Sequence, residues 1–412
     1  MSAERRRLRL AWLRSLAVPG SLWRTGAGRP LSSSPRVLLI RPDHLGDLLF
    51  VTPAVRLLRL SLPCAHLACM VGPWGKPVLE RNPHLDELIV CEFPGFSRAP
   101  KPSLLAPYRA LTYWSTILRP QRFDVAVILR FDHWWGALLA YLAGIPHRIG
   151  FAIPECQPFL TQAIAYDSGH HEVLQNWMLA SGLVEQTRAV RQVPDTSSAA
   201  ESTASCSLQQ LQATGARLEF RVIEGDQVYV SDYLASHGVA AGDRLVAIHP
   251  GAGAAVKLWG AEAWAQVADA IAERCQARIV ITGGRDELDL AWSVYAHMRA
   301  EAIVAAGDTS LGQLAALFQR CRLVLGPDCG PLHLAVAAGT PTVHLYGPVD
   351  AQKFGPWGPP GKHVVLVSER ACIPCNRLDY SDRELPEHPC VRDISVDSVL
   401  QAVRQLLQAI WQ

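Results

Sequence analysis

The sequence predicts an α/β protein made of two doubly wound parallel sheets. Three observations predict it. Short apolar, β-branched runs alternate with segments of helical periodicity from residue 36 onward. Polar or glycine-rich loops follow several of these runs, where strands of such sheets end. The alternation then restarts near residue 245, after a stretch rich in Ser, Ala, Thr and Gln over 196–214 that reads as a linker or surface insertion.

Composition narrows the class. The 412 residues suggest two or three domains. With 49% hydrophobic and 18% charged residues, the chain can bury real cores and is not globally disordered. A formal net charge of +2 argues against a dedicated nucleic-acid binder. No uninterrupted apolar run reaches the ~18 residues of a spanning helix. Eleven cysteines are too sparse for a small disulfide scaffold.

The first element is unusual. Residues 1–35 hold seven arginines and one acid, Glu4. Leu8, Leu10, Trp12, Leu13 and Leu16 interleave with Arg5, Arg6, Arg7, Arg9 and Arg14. On a helix this separates an apolar from a basic side, as in segments lying on anionic membranes. A solvated tail and an organellar transit peptide are the competing readings.

The first α/β half opens with a strand over 36–40, the loop Arg41-Pro-Asp-His-Leu-Gly-Asp47 and a helix over 48–60. Strands follow over 65–71, 87–91 and 125–129, with helices over 104–118 and 135–143. In the second half, a helix over 226–237 precedes strands over 245–249, 277–282, 302–305, 323–325 and 342–345. Helices fall over 261–275, 288–299, 311–319, 331–338 and 396–411. Parallel strands with right-handed crossovers follow from this order. Ligands of such sheets bind outside the strand carboxyl ends, so a cleft between two halves is expected to hold the site.

The loops supply candidates with two readings each. Asp47, at a strand-to-helix turn, either caps the helix or acts as a general base, and Asp43 is a second candidate. In His249-Pro-Gly-Ala-Gly-Ala-Ala-Val-Lys-Leu-Trp259, Gly251 and Gly253 admit close approach by a ligand and Lys257 can reach a phosphate. The Gly-Lys-Ser/Thr ending of a P-loop is missing, as is a Gly-x-Gly-x-x-Gly fingerprint. Gly326-Pro-Asp-Cys-Gly-Pro-Leu-His333 places Asp328, free N–H groups and His333 at a helix start, an anion site for a diphosphate or simply a capped helix. Asp286 or Glu287 takes ribose hydroxyls or caps the next helix. Cys372, Cys375, His388 and Cys390 have partial zinc spacing, though free thiols fit as well.

Together these loops resemble glycosyltransferase family 9, the ADP-heptose:lipopolysaccharide heptosyltransferases. The resemblance runs from Val37-Leu-Leu-Ile-Arg-Pro-Asp-His-Leu-Gly-Asp-Leu-Leu-Phe-Val-Thr-Pro-Ala54 through Gly144-Ile-Pro-His-Arg-Ile-Gly150. It continues through the two loops just quoted, 282–287 and 308–310, to Ala337-Ala-Gly-Thr-Pro-Thr-Val-His-Leu-Tyr-Gly347. It implies a GT-B fold, two Rossmann-like domains facing across a cleft, with the C-terminal helix packing back on the first domain. The implied boundaries are a basic extension over 1–35, an acceptor domain over 36–195, a connecting stretch over 196–243, a donor-nucleotide domain over 244–395 and a helix over 396–412.

The resemblance further implies inverting transfer of a sugar, heptose from ADP-heptose, to a hydroxyl of a lipid-linked saccharide such as lipopolysaccharide core. Asp47 matches the general base, Lys257 a phosphate contact and Glu287 a ribose contact, while Asp328, Gly330 and His333 match the donor loop. One departure is Cys329, where family members usually carry Ser or Thr. Neither cofactor nor metal is expected, since no Asp-x-Asp pair occurs. Arg41, Arg130 and Arg148 are candidate acceptor contacts, beside Lys76 and the stacking pair Trp134-Trp135. The enzyme is expected to be cytoplasmic, with residues 1–18 touching an anionic inner-membrane surface. The alternatives are a non-catalytic sugar-nucleotide-binding protein, a transferase of another NDP-sugar and glycan, and a nucleotide-sugar epimerase.

Overall fold

The computed structural model describes residues 13, 31–96, 103, 105–191 and 216–411. Two compact units make up the chain: residues 1–44 with 51–211, and residues 45–50 with 212–412. The linker expected over 196–214 and nearly all of the basic extension lie outside the described residues. Leu13 is the exception. It is fully buried in the first unit's core, beside Leu38, Ile40 and Ala126.

The first unit holds strands β1 (Arg36–Ile40), β2 (His66–Val71), β3 (Glu87–Val90), β4 (Val125–Ile128), β5 (His147–Phe151) and β6 (Gln162–Ile164). They form one sheet in the order β3-β2-β1-β4-β5-β6. Every pairing is parallel, with Leu38 opposite both Ala68 and Ala126. Val37 through Ile40 are all buried, as expected of a strand covered by helices on both faces.

The helix expected over 48–60 is two helices, α1 (Leu45–Leu49) and α2 (Thr52–Ser61). Pro53 explains the break. It has no N–H to donate to the Leu49 carbonyl, and its ring crowds that turn. The later helices of eight or more residues in this unit are α3 (Ala106–Leu118), α4 (Trp134–Leu142) and α5 (Glu172–Arg191). The expectation lacked β5, β6 and α5. β5 carries His147, Arg148 and Gly150, and α5 buries Gln175 and Asn176, so neither has a clean apolar period.

The second unit holds β7 (Leu245–Ile248), β8 (Arg278–Ile281), β9 (Ala302–Val304), β10 (Cys321–Pro327), β11 (Thr342–Tyr346) and β12 (His363–Val367). Their order, β9-β8-β7-β10-β11-β12, repeats that of the first sheet, again with parallel pairing throughout. Its helices of eight or more residues are α6 (Glu224–Ser236), α7 (Ala261–Cys275), α8 (Leu288–His297), α9 (Leu311–Arg320), α10 (Gly330–Ala337) and α11 (Val396–Trp411).

α11 packs within its own unit. Val399, Ala402, Val403, Leu406 and Leu407 form one apolar stripe, buried in the second unit's own core with Val267, Ile271 and Leu323.

In both sheets the chain reverses its direction of winding beside the first strand. The reversal lies between β1 and β4 in one unit and between β7 and β10 in the other. Loops leaving the two strands of such a pair diverge and open a crevice for ligands.

Candidate functional site

The second unit's crevice is spanned by an ion pair. Lys257 ends a one-turn helix in the loop after β7, and Asp328 follows β10. Their side chains meet at 2.6 Å, Nζ to Oδ2, with only 12% and 9% exposure. Burial alone would push the Asp328 carboxyl up. The ammonium of Lys257, with His333 beside it, instead holds it well below the usual carboxylate range. His333 Nε2 lies 3.9 Å from Asp328 Oδ1.

Asp328 is therefore not the cap of α10. The capping position belongs to Cys329, whose side chain makes no capping hydrogen bond, with Pro331 in the first turn. Burial pushes the Cys329 thiol far above its ordinary value, so it stays protonated. A helix start with uncapped amides beside a buried lysine suits a phosphate.

Glu287 lies on the other side of the β7 loop. Its Oε2 accepts from the Gly284 amide at 2.7 Å, so the capping reading is satisfied. Its other carboxylate oxygen lies against Gly251, where an added Cβ would fall 1.9 Å away. A side chain there would displace the Glu287 carboxylate. His249 packs behind the pair, its Nδ1 3.1 Å from Thr282 Oγ1 and its Nε2 3.7 Å from Glu287. Burial lowers His249 against the pull of Glu287, which leaves a neutral imidazole. Asp286 and Gly253 are exposed.

α1 belongs to the same unit and packs on the start of α10. A Cβ on Gly46 would lie 3.0 Å from the His333 ring, and one on Gly330 would lie 2.8 Å from Leu45 Cβ. The Phe50 ring meets His333 edge-on at 4.7 Å. Asp47 stands in the first turn of α1, half-buried. Two glycines thus bring the backbones of α1 and α10 together, and the Asp47 carboxylate rides on that contact. Gly330→Ala should lower stability by about 1–3 kcal/mol through overpacking. Thermal unfolding checks it, and an unchanged midpoint would show that Leu45 has room to yield.

Sequence reasoning overlooked the floor of this site. Thr342, His344 and Tyr346 alternate on one face of β11, polar groups in a strand buried throughout. That alternation was the available signal. His344 bonds Thr342 Oγ1 through Nε2 at 2.7 Å, and its ring lies 5.6 Å from that of His333. Tyr346 donates to the Phe354 carbonyl at 2.6 Å, and burial with Asp328 nearby keeps its phenol protonated.

The three arginines expected to meet an acceptor differ. Arg41 is buried, pairing with Asp43 at 2.6 Å and Glu172 at 2.8 Å and donating to the Leu129 carbonyl at 3.0 Å. Arg148 donates to the backbone carbonyls of Phe159, Ile145 and Pro146. Both hold the first unit together internally. Arg130 keeps 30% of its side chain exposed. Trp135 is a packing residue that donates to the Pro107 carbonyl at 3.0 Å. Among the described residues no set of three His, Cys, Asp or Glu side chains converges as metal ligands would. No helix among them is long and apolar enough to cross a membrane.

The family model of glycosyltransferase family 9 (heptosyltransferase) matches residues 114–384. Lipopolysaccharide heptosyltransferase 2 of Escherichia coli is 24% identical over 377 residues, 90% of this chain and 98% of that protein. A family 9 glycosyl transferase of Veillonella parvula superposes with a TM-score of 0.70 at 24% identity, over 92% of this chain and all of that one. E. coli ADP-heptose lps heptosyltransferase II gives 0.65 at 22% identity, over 91% and 99%. The two repeated six-stranded sheets are those of the GT-B fold.

Proposed function

Because the chain belongs to glycosyltransferase family 9 (heptosyltransferase), we propose that this heptosyltransferase-like glycosyltransferase transfers heptose from ADP-heptose to a hydroxyl of a lipid-linked saccharide, with inversion. The E. coli relative's name, lipopolysaccharide heptosyltransferase 2, supports a lipopolysaccharide acceptor. The observation that carries the proposal is the Lys257–Asp328 pair at the uncapped start of α10, with α1 packed on the same turn.

The chemistry is a single displacement. Asp47 takes the proton of the acceptor hydroxyl as its oxygen attacks the anomeric carbon, and the bond to the diphosphate breaks on the opposite face. Charge then develops on the leaving phosphates and on an oxocarbenium-like ring. Lys257 and the first amides of α10 meet the phosphate charge, while His333, with Nε2 toward Asp328, donates or relays a hydrogen bond. Asp328 keeps Lys257 aimed. Glu287 and the Gly251 backbone form the wall for the nucleoside ribose. In this scheme protein cations and helix amides do the work a metal would do, so transfer proceeds with no added divalent ion.

The first test is calorimetric titration of the whole protein with ADP, GDP and UDP. ADP should bind in EDTA, and Lys257→Ala should weaken it at least tenfold. Preference for another diphosphate would replace the donor. Failure of all three to bind would remove the enzyme reading.

A further inference from the structure

The polar face of β11 continues onto the next strand. Thr342 and His363 are direct partners in the β11–β12 register. Thr342 Oγ1 lies 2.7 Å from His344 Nε2 and 2.8 Å from His363 Nδ1. Thr342 and His344 are fully buried, and His363 is half-buried. A Cβ on Gly358 would fall 2.2 Å from His363 Nε2 and 3.2 Å from Val336 of α10, so the ring is pressed beneath that loop. On the other side, the His344 ring lies 5.6 Å from that of His333. Three ring nitrogens of this set, His333 Nδ1, His344 Nδ1 and His363 Nε2, are buried with no hydrogen-bond partner among the described residues.

One hydroxyl between two rings constrains both. Burial holds His344 well below its ordinary value and lowers His363 to about 4, so both rings are neutral near pH 7. Each then carries one N–H and one lone pair. The Thr342 hydroxyl has a single proton, so it donates to one ring and must accept from the other. Both contacts are satisfied only if the two rings take the same tautomer, both protonated at Nδ1 or both at Nε2. His333 decides between them. Its Nε2 faces the Asp328 carboxylate at 3.9 Å, which draws the ring proton to that nitrogen and leaves Nδ1 as a lone pair. A buried lone pair needs a donor. The His344 ring, whose Nε2 is taken by Thr342, can supply one only from Nδ1.

We propose that Thr342, His344 and His363 are positioning residues that fix the proton on His333. The donors then run one way. His363 Nδ1–H donates to Thr342, and the Thr342 hydroxyl donates to His344 Nε2. His344 Nδ1–H serves His333 Nδ1 through one bridging water, and His333 Nε2–H points toward Asp328 and the donor phosphates. Hydrogen bonds aligned in one direction polarise one another, so the chain resists a flip of any single ring. This role presupposes that His333 serves the leaving diphosphate.

The test is nitrogen-15 NMR of the whole protein labelled at histidine, which reports the tautomer of each ring, with single histidine variants assigning the signals. His344 and His363 should both be protonated at Nδ1, and His333 at Nε2. Thr342→Val keeps the shape and removes the hydroxyl. It should leave His344 and His333 as tautomer mixtures. Turnover of ADP-heptose should fall about tenfold, the worth of one hydrogen bond, with ADP affinity held within about twofold. Thr342→Ser should restore both the tautomers and the turnover. A merely structural Thr342 would lower the unfolding midpoint and leave the tautomers unchanged. If Thr342→Val does not fold, the parent spectrum decides. Opposite tautomers on His344 and His363, protonation of His344 at Nε2, or a Thr342→Val protein with the parent's tautomers and turnover would overturn the assignment. Locked tautomers in a protein that binds no ADP would support the chain and remove the donor reading.

Discussion

Asp47→Asn should abolish sugar transfer while leaving the nucleotide bound. A general base contributes ~10²–10⁴ in rate, so steady-state turnover should fall by that factor. ADP affinity should stay within about twofold, because the amide is nearly isosteric and the phosphate contacts lie on other residues. The expectation separates the two roles open to this carboxylate. As a first-turn acid of α1, Asp47 interacts with the helix dipole, an effect worth about 0.3–1 kcal/mol at most exposed sites. A purely capping Asp47 would therefore lower the unfolding midpoint slightly and leave turnover intact. Kinetics and thermal unfolding on one preparation distinguish the outcomes. Undiminished transfer would remove Asp47 from the mechanism.

Lys257→Ala should damage both stability and chemistry. It removes the cation 2.6 Å from a carboxylate that is 9% exposed, and breaking a buried pair by deleting one partner costs about 3–5 kcal/mol. Loss of one preorganised contact to the leaving group adds a fall of ~10²–10³ in turnover. The acid limb carries a further signature. The Asp328 carboxyl titrates below its unfolded value of 3.8. Its contribution is therefore complete above that pH and is lost as pH falls through 3.8 toward the folded value. In Lys257→Ala the depression should shrink, so the variant should lose less stability than the parent between pH 5 and pH 3. Urea midpoints across that range measure it. Parallel acid limbs in the two proteins would show that Lys257 does not hold Asp328 ionised.

Much of the scaffold was legible because its central strands are simple. β1, β4, β7 and β10 are apolar, bounded by polar or glycine-bearing loops, and buried on both faces. The elements left unread lie where burial is partial or mixed. β6 and β12 are edge strands with intermediate burial, and α5 hides amides that bond within the unit. A helix cap was one of two readings open for Asp328, because position favours a carboxylate there, yet its side chain is turned to Lys257. Nothing in either loop alone reveals that partner.

The sequence by itself determined the two alternating halves, the loops that end their strands and the chemistry those loops carry. Periodicity and glycine placement are local properties, and local properties can be read along a chain. Tertiary structure alone decided which loops meet. Lys257 reaches Asp328, and Arg130 reaches Asp43, because β7 lies beside β10 and β1 beside β4. Strand order also decided that α11 completes the second core and that Arg41 is internal while Arg130 keeps an open edge. These are contacts between distant segments, fixed by what each buried face and each buried charge must be packed against.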